Sequence, residues 1–176
     1  GVCSFLFVGR IMKEKGVDEF FAAAKTVKAE LGEKVAFDVV GFYEDAYKET
    51  VDQLVADSVI KFHGFQTDVH PFYEAADCVV LPSYHEGMSN VLLEGAATGR
   101  ALITSDIPGC REAVEDGVSG YLCPTKDADA LCDAMRRFAE LPEDRQAEMG
   151  RRGRTRMEQK FSKTAVVAET IKHLEI

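Results

Sequence analysis

The chain has 176 residues, 46% of them hydrophobic, and a formal net charge of -9 from 21 Lys and Arg against 30 Asp and Glu. This length supports one domain with an ample core, no apolar stretch is long enough for a membrane span, and no segment reads as a signal peptide. The acidic balance argues against nucleic acid as a partner. The five cysteines, Cys3, Cys78, Cys110, Cys123 and Cys132, are odd in number and form no C-x-x-C pair, so they read as buried thiols of a reducing, cytoplasmic compartment.

The chain opens on Gly1-Val2-Cys3 without a methionine and enters an apolar run almost at once, which reads as a piece of a longer protein. Phe5-Leu6-Phe7-Val8 is short and continuously apolar, the pattern of a buried parallel strand. It stops at Gly9-Arg10, and Lys15-Gly16 precede a helical pattern from Val17 to Ala29. Arg10 and Lys15 therefore fall at a strand's carboxyl end, the edge at which open α/β sheets bind ligands. Further strands are expected over Val35 to Val40, Val59 to Phe62, Cys78 to Leu81, Ala101 to Thr104 and Gly120 to Leu122. Helices are expected over Glu44 to Ala56, Val69 to Ala76, Asn90 to Thr98, Cys110 to Glu115 and Asp129 to Leu141. The alternation predicts an α/β fold with a doubly wound parallel sheet of six strands. After Pro142 the chain reads as all helical. Arg136, Arg137, Arg145, Arg151, Arg152, Arg154 and Arg156 make this tail locally basic, a solvated helical face with a membrane or partner surface as the sharper reading.

The segment PSYHEGMSNVLLEGAATG carries the chemistry. Glu86 and Glu94 stand with seven residues between them where the Cys78 strand gives way to a helix. Ser89 is a good N-cap that leaves the amides of Asn90, Val91 and Leu92 without intrahelical partners. Free amides and the positive end of a helix dipole attract phosphate. Glu94 lies one turn inside the helix, on the face of Asn90, and a carboxylate accepts charge-assisted hydrogen bonds from vicinal hydroxyls. Gly87 permits close backbone approach, and the small residues Gly95, Ala96, Ala97 and Gly99 let the helix sit tight on a sheet.

Taken together, FLFVGRIMKEKG, VIKFHGF and PSYHEGMSNVLLEGAATGRALITSDIPGCREAVEDGVSGYL resemble the carboxyl-terminal, donor-binding half of a family 4 type retaining glycosyltransferase. The phrasing is most similar to bacterial enzymes of capsular and lipid-linked polysaccharides. The resemblance implies the GT-B fold of two facing Rossmann-like domains, with a nucleotide-diphosphate sugar, a UDP-sugar, as donor and no metal cofactor. By resemblance Arg10 and Lys15 grip the diphosphate and Glu94 takes the ribose hydroxyls. Glu86, with the amides from Gly87 through Met88 to Ser89, faces the donor sugar, and the amides of Asn90 and Val91 complete the phosphate cradle. The loop His63-Gly64-Phe65-Gln66 matches the stretch that contacts the base. Gly41-Phe42-Tyr43 departs from the frequent Gly-x-Gly, and Ser119 stands where Asn is common.

The resemblance also implies partners: a saccharide or polyprenyl-linked acceptor, a missing amino-terminal Rossmann-like domain that supplies most of the acceptor site, and peripheral contact with the inner face of the membrane. Phe161, Thr164, Ala165, Ala168, Ile171 and Leu174 form one apolar stripe, and the resemblance sends the helix over residues 161–176 across to the missing domain. Two other readings stay open: a nucleotide-binding or regulatory module without chemistry, and a sugar-phosphate synthase or phosphorylase on the same fold.

Overall fold

The computed structural model describes the backbone of residues 1–174 and the side chains of residues 1–160. Six strands form one sheet: β1 (Cys3–Val8), β2 (Val35–Val40), β3 (Lys61–Phe62), β4 (Cys78–Leu81), β5 (Ala101–Ser105) and β6 (Gly120–Cys123). They run in the order β3-β2-β1-β4-β5-β6, and all pairings are parallel. The described residues also form six α-helices: α1 (Val17–Leu31), α2 (Lys48–Ala56), α3 (His70–Ala75), α4 (Asn90–Ala97), α5 (Ala128–Glu140) and α6 (Glu143–Leu174).

The central strands are mostly apolar because both sheet faces are covered. Every residue of β4 and β5 is buried. Order runs one way from β1 to β3 and the other way from β4 to β6, so right-handed crossovers place α1 and α4 on opposite faces. On the α1 face the core is aromatic. Phe5 of β1 stacks on Phe37 of β2 with ring centroids 5.2 Å apart, Phe138 of α5 meets the Phe5 edge at 5.9 Å, and Phe20 of α1 packs on Phe7 and Phe37. On the other face α4 packs against α6, and Gly95 lies so close to Val79 and Leu102 that a Cβ would meet both at 3.0 Å. The small residues in that helix bring its amino terminus close to the end of β4.

Some expected elements are shorter than the patterning suggests. Strand pairing begins at Lys61 and not at Val59, because the amides of Val59 and Ile60 bond back to the Leu54 carbonyl at the end of α2. The expected helix over Cys110–Glu115 is only a 3-10 turn at Arg111–Ala113. Local side chains outbid the helix there: the Glu112 carboxylate accepts from the Gly109 amide at 2.8 Å, and Ser119 Oγ accepts from the Glu115 amide at 2.9 Å. The first residues of the expected Glu44–Ala56 helix likewise form a 3-10 turn, Asp45–Tyr47. All five cysteines are buried and free. The side chains of the stripe from Phe161 onward, and its crossing to a second domain, lie outside the described residues.

Candidate functional site

The strand order reverses between β1 and β4, and a crevice outside the carboxyl ends of such a pair is the usual ligand site of an open α/β sheet. Two loops meet there. After β1 the chain makes a 3-10 turn, Lys13–Lys15, and reaches Gly16 at φ 74°, a left-handed conformation that caps the turn and opens α1. A Cβ on Gly16 would lie 1.9 Å from the Pro82 carbonyl oxygen, so the loop after β1 is pressed onto the loop after β4. Gly109, at φ 91°, plays the same part from the far side, since its Cβ would stand 2.2 Å from the Gly87 carbonyl and 2.4 Å from that of Glu86.

This clamping brings residues 71 positions apart into contact: Lys15 Nζ donates to Glu86 Oε1 at 2.6 Å. The fully buried Ser83 hydroxyl donates to the same oxygen at 2.8 Å. The Glu86 side chain is 11% exposed and that of Lys15 30%, so the pair is reachable yet sheltered. Behind it the Tyr84 amide bonds the Glu14 carbonyl at 2.8 Å and the Tyr84 hydroxyl donates to Glu19 Oε1 at 2.5 Å. Burial, with Glu19 alongside, pushes the Tyr84 phenol well above its ordinary range, so the hydroxyl stays protonated and remains a donor.

Helix α4 starts beside this pair. Ser89 has extended backbone and its hydroxyl accepts from the Leu92 amide at 3.3 Å. One of the three expected free amides is therefore taken. Those of Asn90 and Val91 make no hydrogen bond among the described residues, and they point their donors out of the helix end. Gly87 and Met88 are exposed on the approach. Glu94 is exposed one turn in. The Tyr73 phenol near it is raised far above the ordinary value, first by burial and then by the Glu94 carboxylate.

Arg10 does not join the Lys15–Glu86 pair. It lies exposed on the β2 side, with Cζ 5.4 Å from the centroid of the Phe42 ring. Gly64 and Phe65 belong to the same edge, since the Gly64 carbonyl accepts from the Gly41 amide at 2.9 Å and the Phe65 ring stands 6.4 Å from that of Phe42. Sequence reasoning missed Ser83 and Tyr84, whose only signal is their position in the same short loop as Glu86.

The family model described as Glycosyl transferases group 1 matches residues 3–140. The chain belongs to that family. Its relatives include an N,N'-diacetylbacillosaminyl-diphospho-undecaprenol alpha-1,3-N-acetylgalactosaminyltransferase of Campylobacter jejuni, 30% identical over 130 residues, 74% of this chain and 34% of that protein. Among solved structures, the C-terminal domain of a glycosyl transferase group 1 protein, LpcC of Francisella tularensis, superposes with a TM-score of 0.79 at 25% identity, covering 90% of this chain and 86% of that one. A pneumococcal O-GlcNAc transferase, GtfA, solved with UDP and GlcNAc, gives a TM-score of 0.77 at 25% identity over 92% of this chain and 35% of that one. The expected fold of a GT-B carboxyl-terminal domain is thus the observed one. The chain spans about a third of the length of the first curated relatives that it matches.

Proposed function

We infer that this domain binds a nucleoside-diphosphate sugar, a UDP-sugar, at the β1–β4 crevice and supports its transfer with retention at the anomeric carbon. The single observation that carries the reading is the meeting of Lys15, Glu86 and the two open amides of α4 at one sheet edge. A diphosphate needs cations and N–H donors, and a sugar needs a carboxylate that accepts from its hydroxyls. The crevice offers both within one helix turn. Group 1 membership and a UDP-bound structural relative point the same way.

In this reading Arg10, Lys15 and the amides of Asn90 and Val91 hold the diphosphate, while Glu94 takes the ribose hydroxyls. Gly64 and Phe65 border the base. Glu86, with the backbone from Gly87 through Met88 to Ser89, orients the donor sugar and stabilises charge developing at its anomeric carbon. Positive charge around the departing diphosphate does the work that a divalent ion does in other transferases, and the leaving phosphate oxygen helps to take the acceptor proton. Charge on the leaving group grows in the transition state, so both cations act more strongly there than in the ground state. A saccharide or lipid-linked acceptor would be held by a second Rossmann-like domain, without which the 176-residue chain binds donor but transfers nothing.

The test is calorimetry of the chain against UDP with Glu94→Gln beside it. Two hydrogen bonds to a charged acceptor are at stake, so affinity should fall by roughly 2 to 4 kcal/mol. Unchanged UDP affinity in a folded Glu94→Gln protein would show that the ribose lies elsewhere.

A further inference from the structure

We propose that Phe42 is a positioning residue that holds the Arg10 guanidinium in place for the diphosphate, an inference that rests on the donor-site reading above. Phe42 is 49% exposed and its neighbour Phe65 68% exposed, with ring centroids 6.4 Å apart and planes tilted by 60°. One exposed aromatic needs no explanation, but two in contact at a ligand-binding sheet edge do. The Arg10 Cζ stands 5.4 Å from the Phe42 centroid, within the range of a cation–π contact.

The backbone beneath these side chains is tied together by hydrogen bonds. Hydrogen bonding continues past the strand ends: Gly9 N to Val40 O at 3.0 Å, Ile11 N to Phe42 O at 2.9 Å, Gly41 N to Gly64 O at 2.9 Å and His63 N to Val39 O at 2.9 Å. The loops after β1, β2 and β3 are thereby joined into one shelf. Ile11 is fully buried, and Tyr43 packs on Phe62 with centroids 5.5 Å apart, so the two residues flanking Arg10 and Phe42 anchor the shelf from below. Alternation along each extended segment then leaves Arg10 and Phe42 side by side on its outer surface.

The chemistry suits a phosphate site. An unrestrained arginine loses much rotamer freedom on engaging a ligand, and a contact that pre-selects its orientation removes part of that cost. The ring attracts the flat face of the guanidinium and leaves its edge free for bidentate contact with phosphate oxygens. Among the described residues the Arg10 guanidinium makes no hydrogen bond, so its donors remain open. Phe65, with its ring centroid 6.4 Å from that of Phe42, brings the loop after β3 against the same ring.

The experiment is titration of the 176-residue chain with UDP and, separately, with inorganic pyrophosphate, with thermal melting to confirm the fold of each variant. Phe42→Ala is expected to weaken both probes by the same factor, about three- to fivefold. Phe42→Tyr, which keeps the π face, should bind both like the parent, whereas Phe42→Leu, which keeps only apolar bulk, should behave like Phe42→Ala. In an Arg10→Ala background, adding Phe42→Ala should change neither affinity. A Phe42→Ala protein that loses UDP affinity and keeps pyrophosphate affinity would overturn the proposal, because the ring would then serve the base. So would an effect of equal size with and without Arg10. Parent protein that binds UDP and pyrophosphate while Phe42→Ala is neutral overturns this inference alone; parent protein that binds neither overturns the donor-site reading and this inference with it.

Discussion

The two edges of the sheet use their polar groups in opposite ways. At the amino-terminal edge they are spent on the fold: Asp77 Oδ2 accepts from the Ser4 amide at 2.8 Å, Arg100 donates to the Tyr73 and Glu74 carbonyls at 3.1 and 2.9 Å, and buried Gln146 donates to the Phe138 and Leu141 carbonyls at 3.0 and 3.2 Å. At the carboxyl-terminal edge Lys15 and Glu86 hold only each other and Ser83, Arg10 rests on an aromatic ring, and two helix-end amides stay open. A sheet edge whose donors are already satisfied can only stabilise. One whose donors are open can bind. The difference between the edges favours the carboxyl-terminal one as the binding edge, without recourse to any motif.

The comparison is broken most severely from below the site. Phe5→Ala, in the aromatic core shared by β1, β2 and α5, should cost about 3 to 5 kcal/mol of stability, seen as a large fall in the denaturation midpoint, while the protein that remains folded keeps its UDP affinity. Lys15→Met should do the reverse. Its loss should cost UDP binding roughly 1.5 to 3 kcal/mol through the charged hydrogen bond but shift stability by less than about 1 kcal/mol, since a partly exposed cation adds little to the fold. Equal effects of Lys15→Met on melting and on binding would erase the contrast between the edges. Arg100→Ala, at the opposite edge, should lower stability by about 0.5 to 1.5 kcal/mol through the loss of its hydrogen bonds to the Tyr73 and Glu74 carbonyls and leave UDP affinity within error.

The smallest effect concerns the thiols. Burial, with Asp77 second, pushes Cys3 up to about 12, and burial with the carboxylates of Asp116, Asp127 and Asp133 pushes Cys123 up to about 12. A raised thiol value means that the folded state holds the proton more tightly. The contribution is therefore complete below the ordinary thiol value and is lost as pH climbs from there toward 12. Stability should sag slightly across that window, and a thiol reagent at pH 8 should label none of the five cysteines until denaturant is added. Rapid labelling of native protein would place a cysteine at an accessible surface.

Much of the fold was legible because buried parallel strands must be apolar on both faces. Val35–Val40 and Cys78–Leu81 begin and end where their apolar runs do. The reading failed where short-range hydrogen bonds compete with regular structure, at Val59-Ile60 and again at Cys110–Glu115, since periodicity carries no information about which side chain captures which amide. Lys15 and Glu86 could be placed at one edge from the strand pattern, but their contact depends on Gly16 closing against Pro82 across the sheet. Ser83 and the Arg10–Phe42 contact likewise exist only in three dimensions. The Leu92 amide, expected to be open, is occupied by the Ser89 side chain itself.

The most direct test of the account is isothermal titration of the chain with UDP in a chelator-containing buffer, with Lys15→Met and Arg100→Ala run alongside. The account predicts saturable binding at one site without a divalent ion, strongly weakened by Lys15→Met and untouched by Arg100→Ala. No UDP binding by the folded parent chain, or equal losses in the two variants, would contradict it.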